Sequence, residues 1–519
     1  MIVPTQSDSK VSRRRFLGAA ALAGAAAGAV SLVRRRGLTF APSAAELVVE
    51  KDGLSRLRSS LKGTLILPGD DRFDAARRVG SFNPLTDKRP AIIALCADAP
   101  DVVRSLEFAR LNNLEIAVRG GGQDVLGKSV CEGGMVIDLG PMKAIAVDPK
   151  HRVVSAQAGL RTGELDDALQ AHGLTAALGC HPAVGISGLT LGGGLGWFVG
   201  RFGATCDNLL AAEVITADGR RLRASEEENP DLFWGLRGGG GNFGIVTTFE
   251  YRVHPVNHVL GGFLAYRGSQ IREFLRFYRE YMAQAPDELT VEVAMSAPGT
   301  PDTPIVMAIT SYSGDPRTGE RILAPLRSFG PPLADTIAEV SYTRLTDRPP
   351  ILAGLRMLGP VGTLWAGVGL LRAEPEYGYW KGAYAPALVE PAIEAFAESV
   401  SQAPPGWWIG LGHYMHGAVC RVDSRATALP RPSAGYSYFF NAHWRDPAVS
   451  QDRMGWVDRS WASMARFSSK GTYINYLSSG SEEAVKASYG DNFSRLVALK
   501  NKFDPSNVFH LNRNIRPAA

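Results

Sequence analysis

The sequence predicts an α+β fold, and three observations carry the prediction. Three glycine-rich loops, Arg119–Val130 (RGGGQDVLGKSV), Leu191–Trp197 (LGGGLGW) and Arg237–Val246 (RGGGGNFGIV), each lie near a strand-like run. Residues 46–255 alternate strand and helix patterns. Residues 256–460 differ in texture: prolines cluster at Pro298–Pro304, Pro331-Pro332 and Pro349-Pro350, with helical stretches between strand-like runs. A chain of 519 residues, 45% hydrophobic and 21% charged, can bury two or three domain cores.

The first 45 residues stand apart. Ser12-Arg13-Arg14-Arg15-Phe16-Leu17 precedes an Ala/Gly-rich apolar run reaching Val33, the pattern of a twin-arginine export signal, with cleavage expected near Ala41–Ala45. The run is weakly apolar but nearly long enough to span a membrane, and Arg34-Arg35-Arg36 follows it, so an N-terminal anchor is the alternative. Seven Lys/Arg against one acid, Asp8, give this segment +6 where the whole chain has +5, leaving about −1 for the rest. A nucleic-acid partner loses its support there. Five scattered cysteines exclude a disulfide framework. With no CxxC, no HExxH and no metal spacing among the nine histidines, no metal site is expected.

Asp101–Asn112 reads as an amphipathic helix opened by Asp98 or Asp101, leading into the apolar strand Leu114–Val118. Met135–Leu139 and Arg152–Ala158 read as strands, and Thr162–Gln170 as a helix. Glu213–Asp218 turns at Gly219 into Arg220–Ala224 as a hairpin, and Pro230–Trp234 leads to the third glycine loop. Ile271–Gln284, Pro391–Gln402 and Val485–Lys502 read as helices. Gly435–Trp444 alternates two faces, Tyr436/Tyr438/Phe440/Trp444 and Ser437/Phe439/Asn441/His443. One should meet a ligand and the other covering helices, and alternation alone does not choose. His413 and His416 read as structural histidines.

Three consecutive glycines after a strand offer no side chain to pack, so they are read as a tight turn whose N–H groups approach a ligand. Such a nest binds anions, phosphate above all. Three loops of this kind point to a large phosphate-bearing cofactor. Arg119 and Arg237 are candidate phosphate counter-charges, or else structural hydrogen-bonders. For the glycines of Leu178–Asn208 a dinucleotide fold of the G-x-G-x-x-G type fails, because that spacing is absent from this segment and the next one starts no helix at the required offset.

In order and spacing these loops resemble the flavin domain of the vanillyl-alcohol-oxidase superfamily, specifically the berberine-bridge-enzyme-like oxidases. The likeness runs from about Leu54 to the C-terminus and includes Tyr473-Ile474-Asn475-Tyr476 (YxNY) and the ending Asp504–Phe509 and Leu511–Ile515 (DPxNxF…LNxNI). It implies a two-part PCMH-type FAD-binding domain over residues 46–255, completed by residues 461–519, with a substrate domain over 256–460 whose antiparallel sheet, flanked by helices, roofs the flavin. The FAD contacts it implies are Arg119, Gly120, Gly121, Gly122, Gln123, Asp124, Gly127 and Ser129 in the first loop. From the second segment come His181, Pro182, Val184, Gly185, Gly188, Gly192, Gly193, Gly194, Gly196, Asp207 and Asn208. Gly244, Ile245 and Val246 follow, and the tail adds Asn475, Asn512 and Asn514.

Two positions depart from the family. Its flavin-linking histidine is Gln123 here, and an amide cannot make that bond. Its flavin-linking cysteine is His181, with Cys180 one residue earlier and expected to face away from the ring. FAD is therefore expected to bind without a covalent link, a link through Cys180 or His181 being the alternative. The small Val184 sits where the family gates oxygen, though it could be an ordinary core valine. Tyr476 matches the family's proton-accepting tyrosine. With an ordinary pKa of about 10 it would need a neighbouring positive charge or donors to its oxygen to act as a base, and otherwise serves as a hydrogen-bonded wall.

The resemblance implies an FAD-dependent oxidase taking a hydride from a C–OH or C–NH carbon of a small molecule (a sugar, alcohol or secondary metabolite), with O2 as acceptor. A dehydrogenase feeding a periplasmic carrier or quinone, and a degenerate FAD-binding module, are the alternatives. No membrane partner is expected once the signal is removed.

Overall fold

Short apolar strands flanking one helix begin the chain's core. β1 (Thr64–Ile66), β2 (Ile92–Leu95), β3 (Ile116–Arg119) and β4 (Met135–Asp138) form a sheet in the order β1-β2-β4-β3, parallel except for β1. The helix Ala99–Leu111 crosses from β2 to β3. Asp98 caps it by accepting from the Asp101 amide at 3.0 Å, as its Asp-Ala-Pro-Asp sequence dictates. The computed structural model describes residues 51–80, 82–297, 304–346, 377–431 and 434–518, all belonging to one unit, Val49–Ala519. Residues 1–45, where an export signal is expected, Pro349-Pro350 and most of the Pro298–Pro304 cluster lie outside the described residues.

A second sheet is antiparallel, with β5 (Ile145–Asp148), β6 (Val153–Gln157), β7 (Leu209–Ile215), β8 (Arg221–Ser225) and β9 (Ile245–Arg252) in the order β5-β6-β9-β7-β8. β7 and β8 form the predicted hairpin, and the predicted helix Thr162–Gln170 is present over those residues. The glycine segment between them is not continuously extended, because Ile186–Leu191 coils into a short helix.

The third sheet holds β10 (His258–Arg267), β11 (Leu289–Ser296), β12 (Ile305–Tyr312), β13 (Ala334–Asp335), β14 (Ala338–Ser341), β15 (Tyr377–Ala385), β16 (Trp407–Met415) and β17 (Gly435–Trp444). It is antiparallel, in the order β13-β10-β12-β11-β16-β17-β15, with β14 also on β10. One face packs under helices. Ile271, Phe274, Leu275, Tyr278 and Met282 of the helix Ile271–Met282 recur at helical spacing and join Val291, Val293, Ile409, Leu411, Tyr438 and Phe440 in one core. The helices Glu390–Ser401 and Ser450–Met464 cover the same face through Phe396 and Trp456. This settles the two faces of β17: Tyr436, Tyr438, Phe440 and Trp444 meet the helices, leaving Ser437, Phe439, Asn441 and His443 on the other side.

That other side rests on the glycine segment. Phe263, Ala294, Met307 and Ile309 pack with Trp197 and Phe198, and Thr290 donates to the Trp197 carbonyl at 2.8 Å. The chain then returns to the first sheets, but not as one helix. Val485–Lys502 is split into Glu482–Tyr489 and Phe493–Phe503, because Gly490 takes a left-handed φ of 53° that ends the first helix. Among the described residues no helix is long and apolar enough to cross a membrane.

Candidate active site

The first glycine triplet does pack, through its backbone. A Cβ on Gly121 would stand 2.6 Å from Gly185 Cα, and a Cβ on Gly120 would strike Ser187 Oγ. Gly120 and Gly121 therefore exist to let the first and second loops touch, which corrects the expectation that such glycines serve a ligand alone. Gly122 differs: its φ of 69° requires glycine for the turn itself. The third loop joins through Gly240, whose amide donates to the Leu191 carbonyl at 2.8 Å. Gly244, Ile245 and Val246 run into buried β9, with Gly244 against Val214. The three loops thus form one cradle.

Several charged candidates are committed within the protein. Arg119 Nε donates to Asp138 at 2.9 Å across the β3–β4 register, so its charge is matched there, while Nη2 keeps no protein partner. Asp124 accepts from the Leu126 and Lys128 amides at 2.9 and 3.0 Å and pairs with Arg513, closing its own turn. Asp207 accepts from the Ala204 amide at 2.8 Å and pairs with Arg431. Asn208 donates to the Phe202 and Ala204 carbonyls and holds His254 Nε2 at 2.8 Å. These four hold the loops in shape. Arg237 likewise donates to the Ala426 carbonyl at 3.1 Å and lies over the Phe233 ring.

Other candidates line the cradle. The Gln123 side chain packs on Gly80, where a Cβ would come within 2.6 Å of Gln123 Cδ. Gly127 backs onto Thr86, Gly163 onto Pro182, Gly192 onto Asn475, Gly193 onto Leu429, Gly194 onto Thr205 and Gly196 onto Leu178. His181 Nδ1 accepts from the Ala183 amide at 3.2 Å, and the Val184 carbonyl accepts from Thr162 at 2.9 Å. Asn475 donates to the Gly188 and Leu189 carbonyls at 3.3 and 3.2 Å, and Asn512 to the Gly241 carbonyl at 2.9 Å, so the tail clamps two glycine loops.

What the protein leaves unmet fits FAD. Arg119 Nη2, Ser129 Oγ, Asn512 Oδ1 and Asn514 Oδ1 are buried polar atoms with no protein partner. Where Gly188 and Gly241 would carry a Cβ there is open space to 4 Å. Buried polar groups normally find partners. A guanidinium N–H, a hydroxyl and two amide oxygens without protein partners suit a ligand with phosphate, hydroxyl and N–H groups.

Above the cradle stands an aromatic wall. Tyr476 sits edge-on to Trp380, Phe439 and Tyr473 at ring separations of 5.5, 6.2 and 5.0 Å, and its hydroxyl would lie 3.5 Å from a Cβ on Gly412. Burial first, then the Glu292 carboxyl, the Tyr473 phenol and the Cys180 thiol, push this hydroxyl well above its ordinary range. No positive group is among these causes, so the surrounding protein favours the phenol over the phenolate.

Two residues near it were not singled out as functional from the sequence. Glu292 is the one acid in the apolar strand LTVEVAMS, a signal that could have marked it. His413, read as a satisfied structural histidine, has its Nε2 at 3.4 Å from both Cys180 Sγ and Glu292 Oε1, while its Nδ1 is buried without a partner. Burial pushes the Glu292 carboxyl up to about 7, opposed by the Cys180 thiol, and holds His413 down to about 4. Cys180 thus turns toward the third sheet.

Comparison with known proteins agrees with this architecture. Residues 90–225 match the family described as FAD binding domain, and residues 472–516 the family described as berberine and berberine like. The chain is 30% identical over 466 residues to (R)-6-hydroxynicotine oxidase of Paenarthrobacter nicotinovorans, covering 88% of this chain and 97% of that one. The crystal structure of 6-hydroxy-D-nicotine oxidase from Arthrobacter nicotinovorans superposes with a TM-score of 0.78 at 28% identity, over 88% of this chain and 99% of that one. Berberine bridge enzyme from Eschscholzia californica shares the fold, with a TM-score of 0.77 at 21% identity, over 90% of this chain and 99% of that one. Similarity of that extent, with a matching segment at each end of the fold, places the chain in the berberine-bridge-enzyme-like family of FAD-linked oxidoreductases, as an FAD-dependent enzyme.

Proposed function

We propose that this enzyme is an exported oxidase that holds FAD without a covalent bond and oxidises a C–OH or C–NH carbon of a small molecule, with O2 as acceptor. The observation that carries the reading is the face of Ser437, Phe439 and Asn441, turned away from the helices and set with Tyr476 above the glycine loops. That face offers an apolar wall with a few polar groups, the usual make-up of a small-molecule site. Bound FAD supplies the hydride acceptor.

The chain's own residues do the rest. Tyr476, neutral, gives and accepts hydrogen bonds and so orients the substrate's O–H or N–H; it does not act as a phenolate. Trp380 and Phe439 hold the substrate's apolar part and exclude water. Gln123, packed on Gly80, leaves the cofactor held by contacts alone. Without covalent links, which in the family raise the flavin potential, the enzyme suits a more activated substrate. Val184, small and half-buried, supports O2 over a carrier as the acceptor. The twin-arginine pattern at Ser12–Leu17 supports export of the folded, FAD-loaded protein.

The test is a visible spectrum of the purified protein, repeated on pellet and supernatant after acid precipitation. Flavin in the supernatant supports non-covalent binding, and flavin in the pellet refutes it. Bleaching under argon by a panel of alcohols, sugars and amines, with recovery on O2 and peroxide release, supports the oxidase. Bleaching without oxygen consumption in turnover gives a dehydrogenase, and no bleaching by any substrate favours a binding module.

A further inference from the structure

Cys180, Glu292 and His413 come from three elements far apart in sequence, yet Sγ, a carboxylate oxygen and a ring nitrogen lie within 4.8 Å of one another. The convergence is built by the backbone. On β11, Val291 and Val293 point to the helices, so Glu292 points the other way. On β16 simple alternation would send His413 to the helices with Ile409 and Leu411. The register instead shifts between Leu411 and His413, opposite Tyr438 and Ser437, so Gly412 is an extra residue and His413 is re-aimed to the Glu292 face. The Ser437 hydroxyl accepts from the His413 amide at 2.9 Å and pins this bulge.

A hydrogen-bonded relay does not explain the geometry. A relay would place the carboxylate on Nδ1 and the thiol on Nε2. Here both meet Nε2, which carries at most one proton, and Nδ1 has no partner. Three donor atoms around a common point is ligand geometry. With Zn–S of about 2.3 Å and Zn–N or Zn–O of about 2.0–2.1 Å, tetrahedral ligands lie roughly 3.3–3.6 Å apart. The observed Sγ–Nε2 and Nε2–Oε1 separations are 3.4 Å each.

Charge points the same way. A divalent cation on a thiolate, a carboxylate and a neutral imidazole makes the buried cluster itself neutral. The mixed S/N/O donors select zinc or a neighbouring transition metal over magnesium or calcium.

We propose that Cys180, Glu292 and His413 form a site for a zinc-class divalent metal, tying the second glycine segment to the third sheet and leaving one tetrahedral position for water or a substrate donor atom. Binding releases the thiol and carboxyl protons to solvent. Sequence spacing hides the site because its ligands lie on a loop and two strands whose register brings them together.

The test uses the FAD-loaded full chain, dialysed against Zn2+ or Co2+ and then against metal-free buffer. Elemental analysis should return about one metal per chain. The Co2+ form should show d–d absorption at wavelengths beyond the flavin bands. Cys180→Ser should lose the thiolate signature and most of the metal, and Glu292→Gln, as a second and milder variant, should lose most of the metal, both with flavin content intact and with metal-free protein melting as metal-free wild type does. A wild-type protein that retains no metal overturns the proposal, as does metal retained equally by both variants.

Discussion

Gly121→Ala and Gly188→Ala probe the cradle in opposite ways. At Gly121 the added methyl would lie 2.6 Å from Gly185 Cα and closer still to Gly185 N, where ordinary contact begins at 3.4 Å, so the two loops must part by at least about 0.8 Å. Both segments are backbone, without a flexible side chain that could yield. Overpacking of this kind costs about 1–3 kcal/mol, and here it falls on the protein itself. Gly121→Ala should therefore lower the melting point of the apoprotein by several degrees. Gly188 lies in the helix Ile186–Leu191 with nothing within 4 Å of its would-be Cβ. Alanine there favours the helix by roughly 0.5–1 kcal/mol, so the apoprotein should be as stable or more so. If FAD fills the open face, the same 1–3 kcal/mol then falls on binding, about fivefold to a hundredfold in Kd. The assays are thermal melts of both apoproteins and titration of each with FAD, followed by flavin fluorescence. A Gly121→Ala apoprotein as stable as wild type would refute the packing argument. Wild-type FAD affinity in Gly188→Ala would refute the placement of the cofactor.

Tyr476→Phe should lower kcat/KM about tenfold to a hundredfold, the worth of one or two hydrogen bonds to a substrate. Because the phenol is held neutral, the pH–rate profile should keep its shape, and loss of an ascending limb would restore the base role. Lys500 and Asp504 are fully buried, with Nζ 2.6 Å from Oδ2 and donating to the Asn242 and Phe509 carbonyls. Lys500→Met should destabilise by about 3–5 kcal/mol in urea unfolding, because Asp504 is left as an unpaired buried charge. Asp101 is pushed up by burial, but the Ala97, Lys62 and Gly63 amides and Arg104 outweigh that and hold it below its ordinary value. Its stabilisation is therefore complete above the unfolded pKa of about 3.9 and lost as pH falls through the lower folded value. The wild-type melting point should drop steeply there, while Asp101→Asn, less stable at neutral pH, should show a shallower drop.

Local signals fixed much of this protein in advance. The Asp98 cap, the helix Thr162–Gln170, the β7–β8 hairpin and the alternation of Gly435–Trp444 all follow from spacings of a few residues, which the chain carries wherever it folds. The glycine loops and the tail motif announced the family for the same reason. The helix Val485–Lys502 was misread because Gly490 is one glycine inside a good helical pattern, and its left-handed turn is settled by what surrounds it: Asn492, two residues on, donates to the Ser424 and Thr427 carbonyls.

Partners distant in sequence belong to the tertiary structure alone. Which face of β17 the helices cover, and which they leave clear, depended on where those helices packed. Arg119, Asp124, Asp207 and Asn208, expected as cofactor contacts, also hold protein partners, Asp138, Arg513, Arg431 and His254, that only folding brings to them. Cys180, Glu292 and His413 met only through sheet register and one extra residue at Gly412. A sequence states what a group can bond to; long-range pairing decides which partner reaches it first, because a buried charge or donor must be matched by whatever the fold places beside it.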